Sequence, residues 1–83
     1  MDDYLLICRS VTHAQRVLRI LQSGGVAGQM VKAPLALSDH GCTTSVRIGE
    51  ASLLQAKRLL QQNRALPYRI YGRRGRQYTE VPL

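Results

Sequence analysis

Two stretches of helical periodicity, each flanked by strand-like runs, constrain this chain more than any other feature of it. In the first, Ala14, Val17, Leu18 and Leu21 recur at helical spacing, while Gln15, Arg16, Arg19 and Gln22 take the other side. In the second, Leu53, Ala56 and Leu60 share one side and Lys57 and Arg58 lie elsewhere. Ser10 is placed to cap the first helix through its hydroxyl, and Gly24-Gly25 to end it in a left-handed turn. Gly49-Glu50 opens the second helix and the segment Asn63 to Pro67 closes it.

The flanking runs read as strands. Tyr4 to Arg9 is an apolar run of buried-strand type, and Val26 to Ala33 is a second strand in which Gly28 marks a bulge or a close backbone approach. Pro34 ends it. Thr44, Val46 and Ile48 alternate with Ser45 and Arg47 in a third strand, and Tyr68 to Gly72 forms a fourth. Arg74-Gly75 signals a turn, after which Gln77 to Val81 can add a short edge strand.

The order β-α-β-β-α-β contains two tandem β-α-β units. Right-handed crossovers make of it an α+β ferredoxin-like sandwich, a four-stranded antiparallel sheet with both helices on one face. The 83 residues fit one domain, 1–83, with a core of about 4–72 and a basic C-terminal tail at 73–83. A chain this short has little room for a deep active site with its supports, which points to a carrier, adaptor or subunit rather than a stand-alone enzyme.

Apolar runs such as Leu5-Leu6-Ile7-Cys8 are far too short to span a membrane, and the acidic start Met1-Asp2-Asp3 does not read as a signal peptide. The expected location is the cytoplasm, where Cys8 and Cys42 rest as thiols. The net charge of +7 includes Arg69, Arg73, Arg74 and Arg76 near the end. This balance favours an acidic partner, a protein surface or nucleic acid, and also serves plain solubility.

The expected topology concentrates interest on residues 34–42, a long connection between strands. The first and second strands run parallel with the third between them. Their ends share one sheet edge, so the connection lies beside Ser10 to His13 at the start of the first helix, with Arg64 to Tyr68 nearby. A helix N-terminus carries about half a positive charge and favours a thiolate over a thiol. Cys42 is therefore the candidate nucleophile, expected to be exposed with a lowered pKa, and Gly41 leaves its backbone room for close approach.

Three pieces of the sequence, in this order, resemble a small bacterial family of selenium/sulfur carrier-like domains. They are Ser10-Val-Thr12-His13-Ala14 after the first strand, Val31-Lys-Ala-Pro34, and Ser38-Asp-His-Gly41-Cys42 leading into the third strand. The resemblance covers residue 4 to about 71. It implies a carrier of sulfur or selenium, held as a persulfide or perselenide on the loop cysteine, with no tightly bound cofactor. Carried across, that role falls on Cys42, and Ser10, Thr12 and His13 match the helix-start segment facing it. Two positions depart from the family pattern: Thr43 follows the cysteine where glycine is usual, and Leu35 follows the proline where arginine is usual.

Other readings compete. Cys8, among Leu and Ile, fits a buried core position. His13, Asp39, His40 and Cys42 can be drawn as metal ligands but do not make a well-spaced set of four, so no metal is expected. The terminal arginines with Tyr68, Tyr71 and Tyr78 suit RNA, although the aromatic pattern of an RNA-recognition motif is missing. A non-enzymatic docking or regulatory module, homodimeric through the sheet or an edge strand, is a further class. The five carboxylates, Asp2, Asp3, Asp39, Glu50 and Glu80, form no acid–base pair in the sequence.

Overall fold

The computed structural model describes residues 1–37 and 44–83. Five strands, β1 (Asp3–Ile7), β2 (Gly28–Lys32), β3 (Thr44–Gly49), β4 (Arg69–Arg74) and β5 (Gln77–Val81), form one sheet in the order β2-β3-β1-β4-β5. All four strand pairs are antiparallel. Helices α1 (Val11–Ser23) and α2 (Leu53–Gln62) connect β1 to β2 and β3 to β4. Short 3-10 turns occupy Leu35–Leu37 and Glu50–Ser52.

The four strands expected from the sequence stand in the expected order, but the sheet has five strands rather than four. Residues 73–83 are not a tail. Arg73 and Arg74 finish β4, and the two-residue connection Gly75-Arg76 returns the chain as β5, with Arg74 paired to Gln77. Gly75 sits at φ 60° while Arg76 keeps a negative φ, the signature of a type II′ hairpin turn.

Both helices bury their stripes on one side of the sheet. Ala14, Val17 and Leu21 of α1 and Ala56 and Leu60 of α2 meet Leu6, Cys8, Val46, Ile48 and Ile70. Gly28 allows this packing, since a Cβ there would lie 3.1 Å from a Leu18 methyl and 3.2 Å from one of Val46. Each helix ends in a paired-hydrogen-bond cap. For α1, Val26 N–H donates to Leu21 O at 2.8 Å and Gly25, at φ 82°, donates to Gln22 O. In α2 the same left-handed position is taken by Arg64, at φ 53°.

The opposite face carries a smaller cluster of Leu5, Ile7 and Ala33, covered by Val31, Leu37, Tyr71 and Tyr78. Around it the charges are paired. Arg73 donates through Nε and a terminal nitrogen to the two carboxylate oxygens of Asp3 at 2.9 and 2.8 Å, and Arg69 meets Glu80 at 2.9 Å. The hydrogen bonds from Arg73 hold the Asp3 carboxyl below its ordinary range, against an opposing effect of burial and with help from the Arg73 and Arg47 charges.

A carboxyl depressed in the folded state contributes stability above its unfolded pKa and loses it as pH falls through the folded value. Asp3→Asn is therefore expected to lower stability at pH 7 by about 1 kcal/mol. It should also flatten the fall in stability below about pH 4, as read from urea unfolding across a pH series. An unchanged acid limb would remove this pair from the account.

Candidate functional site

The chain leaves β1 through Cys8 and Arg9 and turns into α1 at Ser10. Cys8 N–H donates to Thr44 O at 3.3 Å, which fixes this exit against the first residue of β3. Ser10 is extended, at φ −158° and ψ 168°, and its Oγ accepts from His13 N–H at 3.1 Å. Its carbonyl accepts from Ala14 N–H at 3.0 Å. His13 reaches back, its Nδ1 accepting from Arg9 N–H at 3.3 Å. This is the reciprocal logic of a capping box with an imidazole in place of the usual carboxylate or amide. Because Nδ1 is the acceptor, the neutral ring carries its proton on Nε2, which is left as the outward donor.

The cap uses the His13 N–H and leaves those of Val11 and Thr12 without an acceptor among the described residues. Both residues are exposed, Val11 by 51%. Val11 also borders a shallow hollow of about 220 Å³ shared with Met30, Val31, Lys32 and Thr44. The open end of α1, with its partial positive charge, thus faces the place where the chain enters β3.

Cations gather at the same end. Tyr68 N–H donates to Ile7 O at 2.7 Å, setting the start of β4 beside the exit of β1. The Tyr68 ring has the Arg9 guanidinium 5.3 Å and the Arg69 guanidinium 5.0 Å from its centroid. This arrangement escaped the sequence reading. The order of strands brings Tyr68 to this edge, but nothing in the sequence shows that Arg9 turns toward the ring.

Ser10, Thr12 and His13 thus stand together at the mouth of α1. Cys42 and Gly41 lie outside the described residues, as do Asp39 and His40. The sequence placed the whole connection 34–42 beside the first helix. Its described part, 34–37, departs from this at Leu37, which packs against the cluster of Leu5, Ile7 and Ala33 on the face away from the helices. The cause is the apolar surface of Leu5 and Ile7, which no helix covers on that side. Among the described residues that follow, Thr44 shares a hollow with Val11 at the start of α1.

Cys8 occupies the core, 2% exposed, and its Sγ donates to Leu6 O at 3.4 Å. Among the described residues no three or more His, Cys, Asp or Glu side chains gather as a metal site, and no helix is long and apolar enough to cross a membrane. Two of the four arginines near the chain end, Arg69 and Arg73, are committed to carboxylates within the sheet.

The architecture is that of an α+β protein with two helices over one face of a five-stranded antiparallel sheet and a capped, cation-flanked helix mouth at one sheet edge. Residues 3–72 match the family described as "Putative Se/S carrier protein-like", and the chain belongs to that family. The match stops within β4, so β5 lies beyond it. No curated protein and no solved structure matches the chain.

Ser10→Ala removes one N-cap acceptor and is expected to cost about 1 kcal/mol of stability. Thermal or urea unfolding reads this directly; a neutral result would mean that His13 holds the helix start without the serine.

Proposed function

We propose that this protein is a carrier of sulfur or selenium, or an accessory to such chemistry, with Cys42 as the acceptor. The frame is read as a ferredoxin-like βαββαβ unit extended by β5. The observation that carries the proposal is the pairing of family membership with a helix mouth that keeps two N–H donors open beside Thr44. Cys42 precedes Thr44 by two residues, so chain geometry keeps its Cα within about 7.6 Å of the Thr44 Cα. Beside Thr44 stand Lys32, its partner across β2 and β3, and the start of α1, both of which favour a thiolate.

The transfer needs no net oxidant. The Cys42 thiolate attacks the outer sulfur of a donor persulfide, a new S–S bond forms, the donor's own S–S bond breaks, and the donor leaves as a thiolate. Delivery reverses the exchange toward a recipient nucleophile. In this reading Val11 and Thr12 N–H and His13 Nε2–H stabilise the anionic outer sulfur, and Ser10 keeps the helix start in place. Gly41 gives the donor room to approach. The cytoplasm, where thiols stay reduced, suits such a carrier.

Mass spectrometry after incubation with a persulfide donor tests the proposal. A gain of about 32 Da is expected, absent in Cys42→Ser and retained in Cys8→Ser. With no adduct on Cys42, the protein is better read as a docking or regulatory module.

A further inference from the structure

The charges of this protein are sorted by face. On the open face of the sheet two arginines are paired with carboxylates, Arg73 with Asp2 and Asp3 and Arg69 with Glu80, while Arg47 meets the Gln29 side-chain oxygen. The helix layer has no such compensation. Residues 9–27 and 51–68 contain no Asp or Glu and hold half of the twelve Lys and Arg residues. Among these, Arg16, Arg19, Arg58 and Arg64 are exposed, and none forms a salt bridge among the described residues. Arg16 donates to Asn63 O and Gln55 to Gly24 O, both at 3.0 Å, so the helices lie antiparallel and present these cations as one layer.

Leu54 stands in the same layer at 77% exposure, one turn before Arg58 on the outward side of α2. Neither helix carries a Phe, Tyr or Trp, and the imidazole of His13 is engaged at the helix start by Arg9 N–H. A nucleic-acid surface gains from cations and stacking rings, and an exposed leucine adds nothing toward phosphate. An apolar anchor rimmed by cations is instead the anatomy of a protein interface.

We infer that the outward face of α1 and α2 docks an acidic protein partner, which receives Leu54 in an apolar contact and faces Arg19 and Arg58 with carboxylates. This deepens the carrier reading by giving its donor or recipient a surface distinct from the thiol. It also gives the helix-layer cations, which have no salt-bridge partner among the described residues, a partner's carboxylates to meet.

The test uses two probes of equal net charge in amide-shift titrations of the full chain carrying Cys42→Ser. One is a synthetic helical peptide joining a Glu-rich flank to a Leu stripe; the other is a uridine oligonucleotide. The peptide is expected to bind more tightly and to shift Leu54, Arg58 and Arg19. Leu54→Ala should weaken it at least about threefold and Arg58→Glu about tenfold, with the fold confirmed by the same spectra. Leu54→Ala should leave oligonucleotide binding unchanged. Equal or tighter oligonucleotide binding on this layer, peptide shifts confined to the open sheet face, or no peptide binding at low salt would each overturn the inference. Because Cys42 is absent from the experiment, failure here leaves the sulfur chemistry standing, and a missing persulfide adduct leaves this surface standing.

Discussion

Leu5, Leu6, Ile7 and Cys8 each expose 4% or less of their surface because β1 lies at the middle of the sheet with something packed on both of its faces. Leu6 and Cys8 point into the helix layer, and Leu5 and Ile7 point to the other side, where among the described residues Val31, Leu37 and the tyrosines of β4 and β5 cover them. Burying a leucine or isoleucine side chain fully is worth about 1.5–3 kcal/mol, so leaving that second face bare would waste much of what a small domain can gain. This demand places the start of the β2–β3 connection on the open face and makes β5 part of the fold. It also fixes the direction in which β1 exits, and hence where Ser10 starts α1.

From that exit the candidate site follows locally. The Ser10 hydroxyl and the His13 ring close the turn around Arg9, and what remains at the tip of α1 is a pair of N–H groups with no acceptor among the described residues. A site of this kind requires no deep cavity. It needs a helix end and a tethered nucleophile. Arg9 and Arg69, held against the Tyr68 ring, add cationic character at the same edge.

Much of this was legible in the sequence because periodicity, caps and turns are local signals. The stripe Ala14, Val17, Leu21, the Ser10 cap and the Gly24-Gly25 stop all mark α1, and the structure begins and ends it there. The apolar run at residues 5–8 marked a buried strand, and Cys8 as a core residue followed from its company. What was less legible depends on pairing across distance. Gln77 to Val81 is mostly polar, and its place as a full edge strand rests on the Gly75 turn and on the Arg69–Glu80 contact. Two of the arginines near the end looked free for the same reason: Arg73 meets Asp3 at the other end of the chain, and Arg69 meets Glu80 only once β5 folds back on β4. The position of Leu37 was hidden too, because a short loop leucine carries no sign of which sheet face it will cover.

The central claim is that the mouth of α1 activates the thiol two residues before β3. The rate of iodoacetamide labelling of Cys42 against pH, with the labelled residue identified by mass, reads that directly. The account predicts a midpoint clearly below that of a free thiol, about 8.5. A midpoint at or above that value would contradict it.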